Sequence, residues 1–305
     1  MADQSIQHYV GLDIGTSKVR CIVGVVNSGD GGEVSIVGYG SAATNGMRNG
    51  VVVYADDVAE SIISAVNEAE RISGIRINAA TINVNGGHVV GINSKGVVAI
   101  SAANRQINED DRARVEDAAT IVQLPPNREI VQLFAKNYRL DGQGNIKDPI
   151  GMQGVRLEVD SHIVTAATPS LRNLEAALDK AQISINRRTI SSLAAAEAVL
   201  SRQQKEAGTA VIDIGAGTTN LVVIEDGEVQ HAAIIPMGGL NITNDLAIGL
   251  KTDIDVAEQV KIQHARIDDK SHKENISVEL DQNIHNFKFS DVKMITEARV
   301  EEVLD

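Results

Sequence analysis

The sequence predicts an α/β fold built from two related lobes, and three observations carry that prediction. One pattern occurs twice: Val10-Gly-Leu-Asp13-Ile-Gly15-Thr16-Ser17-Lys18-Val-Arg-Cys-Ile-Val23 and Ala210-Val-Ile-Asp213-Ile-Gly215-Ala-Gly217-Thr218-Thr219-Asn-Leu-Val-Val223. Each copy reads as an apolar strand, a polar turn with one or two glycines and a second strand, the sequence form of a β-hairpin. Strands also alternate with helices of 3.6 periodicity, as where Val58, Ile62, Val66, Ala69 and Ile72 recur between Asp56-Asp57 and the stop at Gly74. Finally, from Gly86 to Ser161 the texture changes to a compact mixed unit set between the two copies.

The duplicated turn suits phosphate chemistry. Glycine lets the backbone reach positive φ and approach a ligand closely, so successive N–H groups can converge on an anion while Thr and Ser hydroxyls add donors. An Asp at the strand end places a carboxylate beside the phosphates, where it can hold Mg²⁺ directly or through water. A single hairpin with an Asp-Gly turn is commonplace. Two copies that share Asp-Ile-Gly at a constant offset predict two lobes facing each other across a cleft, with one turn on each side of the phosphates. No Gly-x-x-x-x-Gly-Lys-[Ser/Thr] loop and no strand-linked Gly-x-Gly-x-x-Gly occurs, so the commoner nucleotide folds are not supported.

Composition narrows the classes further. The 305 residues are 43% hydrophobic, enough for about two domains with substantial cores. Aromatic residues make up 2% and Trp is absent, so those cores must be aliphatic. The same scarcity removes the stacking platforms of single-stranded nucleic-acid binders, and a net charge of −13 opposes a phosphate backbone, so nucleic acid is not an expected partner. The single Cys21 is read as a small apolar filler in the second strand, in keeping with a reducing cytoplasm. The first residues, Met-Ala-Asp-Gln-Ser-Ile-Gln-His, carry neither a basic nor an apolar signal region, and no run reaches about 18 apolar residues; the expected location is cytoplasmic.

Taken in order, Asn27 to Gly32 is a turn, Glu33 to Gly40 a third strand, and Gly46 to Val53 a loop entering a short strand. A helix to about Ser73 and a buried strand Ala79 to Val84 follow. The inserted unit comprises a strand near Gly96, an acidic-capped helix from Asn108 and a strand near Glu129. The first lobe is expected to resume at His162-Ile-Val-Thr-Ala, with His162 structural, and to continue through a helix from Ser170 to Gln182 and an Ala-rich helix Ser191 to Leu200. Beyond the second hairpin come a strand at His231, the pair Gly238-Gly239, a helix from Asn241 whose N-terminus would direct donors toward the cleft, and a helix carrying Glu258 and Lys261. Asp268 to Asn275 reads as a loop and Ser290 to Leu304 as a final helix. The domain expectation is therefore residues 1–85 with 162–206 as the first lobe, 86–161 as the insert and 207–305 as a partial second lobe.

The paired Asp-Ile-Gly hairpins resemble the phosphate loops of the actin-like ATPases, a superfamily that also holds sugar kinases and chaperone ATPase domains. Adding Gly87-His88, Gly96-Val-Val-Ala-Ile100, Ile146-Lys-Asp-Pro-Ile-Gly-Met152, Gly154-Val-Arg-Leu-Glu158 and Gly238-Gly239 through Thr243-Asn-Asp245, the chain resembles the FtsA family of bacterial cell-division proteins from Val10 to about His264. The resemblance implies an actin-like (ribonuclease H-like) two-lobed fold with an FtsA-type inserted subdomain, ATP and Mg²⁺ as cofactors, self-association into filaments, and an adaptor role tying FtsZ and other divisome proteins to the cytoplasmic face of the membrane at the division site. By position it assigns Asp13, Gly15, Thr16, Ser17 and Lys18 to one phosphate loop and Asp213, Gly215, Gly217, Thr218 and Thr219 to the other. Gly238 and Gly239 would lie near the nucleotide, Glu258 and Lys261 near ribose and base, with Asp13 and Asp213 at the metal.

The chain departs from the family pattern in three ways. Ala216 stands where a glycine is usual; no second Gly-Gly turn to cover the adenosine follows Gly239; and the amphipathic C-terminal helix that would bind membrane is missing, so the expectation is a chain ending inside the second lobe. No catalytic residue is assigned. Glu197 lies in the right neighbourhood for positioning water but matches no family position, which leaves at most a weak ATPase beside the adaptor role. A metabolic phosphotransferase of the sugar-kinase kind would share both hairpins, but the first lobe shows no convincing catalytic Asp for one.

Overall fold

The computed structural model describes residues 7–26, 34–101, 104–267 and 274–304. The turn expected at Asn27 to Gly32 lies outside them, as does most of the loop expected from Asp268. By contacts the chain divides into two units, residues 1–213 with 220–235 and residues 214–219 with 236–305.

The first unit begins with the predicted meander, β1 (Gln7–Ile14), β2 (Lys18–Val26) and β3 (Val34–Ala43), each pair antiparallel. Two further short strands, β4 (Met47–Arg48) and β5 (Val51–Val52), pair with each other. Helix α1 (Ala55–Ser73) has Asp56 and Asp57 in its first turn and ends at Gly74, whose φ of 70° lets its N–H close onto the Glu70 carbonyl. Strand β6 (Ala79–Val84) then lies parallel to β1.

Period-2 alternation decides which face of this sheet is buried. Val10, Leu12 and Ile14 of β1 and Val19, Cys21 and Val23 of β2 enter one core with Val58, Ile62, Ala65 and Ala69 of α1. Gly11, Asp13, Arg20 and Ile22 point to the opposite face. Helix and sheet approach closely enough that a Cβ on Gly40 would stand 1.9 Å from the Ala65 carbonyl oxygen, so no larger residue fits there. Cys21 is fully buried, and desolvation pushes its thiol pKa up to about 11, as expected of an inert filler.

The insert forms its own sheet, ordered β7-β10-β8-β9, from β7 (Val90–Ala99), β8 (Arg128–Leu140), β9 (Gln143–Ile146) and β10 (Arg156–Ala167), all antiparallel. Helix α2 (Glu109–Thr120), closed at its start by a reciprocal Asn108–Asp111 capping box, covers one face, its Val115 and Ala119 sharing a core with Tyr138, Leu140, Leu157 and Val159 of the sheet. The expected resumption of the first lobe at His162 is corrected here. His162 to Ala166 is the second half of β10, continuous with the insert's sheet, and its Val164 and Ala166 reach into the core beneath β1.

Helix α3 (Thr168–Lys180) and β11 (Ser184–Ile190), which the sequence pattern had not marked, complete the first sheet in the order β11-β6-β1-β2-β3. Arg187 and Arg188 interrupt the apolar run of β11 and mask its strand character. Helix α4 (Ser191–Val199) and the short α5 (Arg202–Ala207) lead to a three-stranded sheet, β12 (Thr209–Ile214), β13 (Thr219–Glu225) and β14 (Glu228–Ile235), in that order. Within this unit β14 packs on the insert's sheet, where the Ala232 N–H donates to His162 Nε2 at 3.1 Å.

The second unit joins the turn 214–219 to α6 (Gly239–Leu250), α7 (Ile254–His264), a hairpin of β15 (Asn275–Leu280) and β16 (Asn283–Lys288), and α8 (Phe289–Leu304). Leu246, Val256, Val260, Ile276, Val278, Phe289 and Val292 form its core. The hairpin escaped the sequence reading because Asn, His and Lys dilute the alternation of β16, and Asn275, read as loop, opens β15. Among the described residues no helix is long and apolar enough to cross a membrane.

Candidate nucleotide site

Asp13 is held by the strands around it. β1 lies between β2 and β6, and the antiparallel register sets Asp13 opposite Arg20, whose Nη1 donates to Asp13 Oδ2 at 3.2 Å. From β6, Asn83 Nδ2 donates to Asp13 Oδ1 at 2.8 Å and to Ser191 Oγ at 3.0 Å, while Asn83 Oδ1 accepts the Ile14 N–H at 2.7 Å. One amide therefore fixes the strand end and the orientation of the carboxylate together. The sequence reading passed over Asn83, although a lone amide in the apolar run Ala79–Val84 was a usable signal.

Asp213, at the corresponding place in β12, lines the same pocket as Asp13. This pocket, of about 350 Å³, lies in the first unit and is bounded by Leu12, Ile22, Ile82, Ala194 and Ala195 besides the two carboxylates. Desolvation raises the Asp13 pKa; Arg20 opposes the rise and the Asp213 carboxylate adds to it. Two carboxylates that repel across a partly apolar pocket suit a divalent cation. Among the described residues no cluster of three or more His, Cys, Asp or Glu side chains exists, so an ion here would keep much of its water, as Mg²⁺ does.

The turns differ from the expectation in one respect. Gly15, Gly215 and Gly217 are not among the residues with positive φ, so left-handed backbone is not why glycine stands there. Close approach is the reason for the first of them. Gly15 N donates to the Lys18 carbonyl at 3.1 Å, and a Cβ on Gly15 would lie 2.8 Å from that oxygen. Thr16 Oγ1 accepts the Gly50 N–H at 2.9 Å and the Ser17 carbonyl accepts the Thr44 N–H at 3.0 Å, anchoring the turn to the loop after β3. Ser17 and Lys18 are exposed.

In the second unit, the turn is closed by Gly215 N on the Thr218 carbonyl at 2.8 Å. Thr218 and Thr219 are buried, and Thr219 Oγ1 donates to the Met237 carbonyl, so that hydroxyl is engaged within the protein. The start of α6 corrects a second expectation. Its first donors do not point out toward a ligand: Gly239 N bonds the Gly215 carbonyl at 2.9 Å and Leu240 N the Ala216 carbonyl at 2.7 Å. Gly238 permits this contact, because a Cβ there would fall 2.5 Å from the Gly215 oxygen. Lys261 Nζ donates to the Gly239 carbonyl at 3.2 Å, to Thr243 Oγ1 at 2.9 Å and to Glu258 Oε2 at 2.7 Å. Glu258 and Lys261 are thus a network fastened to the start of α6 rather than a solvated surface pair. Glu197 is 62% exposed at its side chain and pairs with Lys205 at 2.5 Å.

Comparison with known proteins fixes the family. Residues 86–165 match the family described as "SHS2 domain inserted in FTSA", and residues 210–296 match "Cell division protein FtsA". The cell division protein FtsA of Bacillus subtilis is 38% identical over 301 residues, covering 97% of this chain and 68% of that protein. The chain belongs to the FtsA family. FtsA of Pseudomonas aeruginosa is likewise 38% identical, over 262 residues that make up 86% of this chain and 62% of that relative. The chain thus spans somewhat under two thirds of the Pseudomonas FtsA.

Among solved structures, a type IV pilus PilM-PilN complex matches with a TM-score of 0.64 at 16% identity, covering 97% of this chain and 75% of that one. MreB5 of Spiroplasma citri, solved bound to ADP, matches with a TM-score of 0.51 at 12% identity, covering 99% and 78%. These likenesses show the fold. This FtsA-family chain has the mixed α/β, actin-like ATPase architecture, with an SHS2 insert matched over residues 86–165.

Proposed function

We propose that this chain is the nucleotide-binding portion of an FtsA-type cell-division adaptor, and that Asp13 and Asp213 flank a single Mg²⁺–ATP. The observation that carries the proposal is their convergence on one pocket, with Asn83 and Arg20 orienting Asp13. When bound, the metal would neutralise phosphate charge between the carboxylates. The protein's part is positional: Asn83 holds the Asp13 carboxylate in one orientation, and the backbone of residues 15–18 follows directly on its strand. Gly238 and Gly239 support the second turn, and Lys261 with Glu258 holds the helix start that buttresses it. The lobes, in this reading, are residues 1–85 with 168–206 and residues 207–305, the insert with all of β10 interrupting the first.

From family membership we further infer self-association into filaments and contact with FtsZ and other divisome proteins at the cytoplasmic face of the membrane, with ATP hydrolysis weak and secondary. Equilibrium titration with Mg²⁺–ATP tests the site. Asp13→Asn and Asp213→Asn, which keep shape and remove charge, should each weaken Mg²⁺-dependent binding at least tenfold while affecting Mg²⁺-free binding little. Parent-like titration of both variants would remove the carboxylates from the site. Turnover stimulated by small hydroxylic acceptors rather than by protein assembly would favour a metabolic phosphotransferase instead.

A further inference from the structure

Ser191 stands beside the two carboxylates. It begins α4 directly after β11, is half-buried, and lines the same 350 Å³ pocket as Asp13 and Asp213. Two amides converge on its hydroxyl: Asn83 Nδ2 donates to Ser191 Oγ at 3.0 Å and Asn85 Nδ2 at 2.8 Å. The Asn83 amide is not free to turn round, because its Oδ1 accepts the Ile14 N–H and its other Nδ2 hydrogen goes to Asp13.

A serine hydroxyl has two lone pairs and one hydrogen. The asparagines take both lone pairs of Ser191, and among the described residues no acceptor takes its hydrogen. That hydrogen points away from both amides, on a residue at the pocket wall. Ala194 and Ala195, further along the helix, add no bulk to that wall, and no side-chain hydrogen bond caps the start of α4. Its chemistry selects its partner. Water on a bound Mg²⁺ turns its lone pair to the metal and can only donate, which suits Asp13 and Asp213 but not Ser191. An anionic phosphate oxygen can only accept, and makes a short, charge-assisted bond with a hydroxyl.

The geometry points to Ser191 as a phosphate-binding residue, its hydroxyl donating to a phosphate oxygen of the nucleotide while the carboxylates face the hydrated metal; the assignment rests on the Mg²⁺–ATP reading of this pocket. Asn83 and Asn85 are positioning residues in this arrangement. Through one nitrogen Asn83 orients both the Asp13 carboxylate and the Ser191 hydroxyl, so a single amide sets the metal side and the phosphate side of the pocket together.

Equilibrium titration of the intact chain with ATP, with and without Mg²⁺, and with adenosine tests the assignment when Asp13→Asn is measured alongside. Ser191→Ala should weaken ATP binding about tenfold, equally with and without Mg²⁺, and leave adenosine unchanged. Ser191→Thr, which keeps the hydroxyl, should bind within about twofold of the parent. Asp13→Asn should lose affinity only where Mg²⁺ is present. A Ser191→Ala loss confined to the Mg²⁺ titration would mean that Ser191 does no more than steady Asp13, and would overturn the proposal; so would a threonine variant no better than the alanine one. Parent-like titration of Ser191→Ala beside a weakened Asp13→Asn would overturn this assignment alone, whereas parent-like titration of both would remove the Mg²⁺–ATP site with it. Asn85→Ala should not tighten ATP binding, and tightening would show that the Ser191 hydrogen is given to Asn85. In the unaltered chain, amide NMR signals of residues 191–195 should shift with ATP and not with adenosine. Equal shifts with both would overturn the proposal whether or not the variants fold.

Discussion

The two Asp-Ile-Gly segments are nearly the same words in different surroundings. In the first, β1 is an interior strand with β2 and β6 as neighbours; Leu12 and Ile14 are each 2% exposed, and Asp13 is oriented by Asn83. In the second, β12 lies at the end of its three-stranded sheet, and the matching Ile212 and Ile214 are 57% and 56% exposed. No hydrogen bond or ion pair to the Asp213 carboxylate occurs among the described residues. Repetition in sequence therefore does not imply equal mechanical support. Orientation of the carboxylate and stability of its strand come from neighbours far away in the chain.

The largest consequence is an asymmetry in the response to truncation. Leu12→Ala should lower stability by about 3–5 kcal/mol, through lost burial plus a cavity under α1. Ile212→Ala, at an exposed edge position, should change it by no more than about 0.5 kcal/mol. Urea unfolding midpoints of the two variants measure the difference. Comparable losses would mean that β12 is covered in solution, and the comparison drawn above would fail.

A second effect of similar size concerns how the later sheet is tethered to the insert. His162 is 1% exposed and satisfied as a neutral ring, with Nδ1 on Asn93 and Nε2 accepting the Ala232 N–H. Burial, with Lys136 and His231 nearby adding repulsion, lowers its pKa from 6.5 to about 4. The folded protein therefore resists protonation that the unfolded chain accepts. Stability should be complete above pH 6.5 and fall as pH drops from there toward 4, by on the order of 3 kcal/mol. His162→Gln should start less stable and lose this part of the pH dependence. A parent-like slope between pH 6.5 and 4 in that variant would assign the titration to another group.

Against this background it is clear why some features were readable in the sequence and others were not. The hairpins, α1 and the inserted unit were legible because period and punctuation agree within each: Gly74 ends α1 where the apolar stripe ends, and Asn108 caps α2 three residues before Asp111. Asn83 was missed because its role depends on β6 lying beside β1, a pairing between residues about 70 positions apart. The continuity of His162 with the insert was missed for a related reason, since β10 reads locally as two short segments and is joined by pairing with β7 and β8. The donors at the start of α6 were assigned to a ligand because a helix N-terminus after Gly-Gly commonly faces an anion. In this chain Gly238 allows the turn's own carbonyls to come close enough to take them.

The smallest expected effect tests the turns themselves, where the two copies are most alike. Neither Gly15 nor Gly215 has positive φ, so alanine at either place meets no left-handed strain and should gain about 0.4–1 kcal/mol from a less disordered unfolded chain. The difference lies in space. At Gly15 a Cβ would come 2.8 Å from the Lys18 carbonyl oxygen, a backbone atom held in the central hairpin of a five-stranded sheet. At Gly215 the nearest atom is the Thr218 carbonyl oxygen at 3.1 Å, and Gly215 itself follows β12, the end strand of its sheet, so a shift of a few tenths of an ångström on the Gly215 side relieves the contact. Gly15→Ala should thus be net destabilising by about 1 kcal/mol, because displacing the Lys18 carbonyl also lengthens the bond that closes the turn. Gly215→Ala should be neutral within about 0.5 kcal/mol. Denaturant titrations of both proteins measure the pair directly. Equal costs would show that the second turn is held as rigidly as the first, by contacts other than strand pairing.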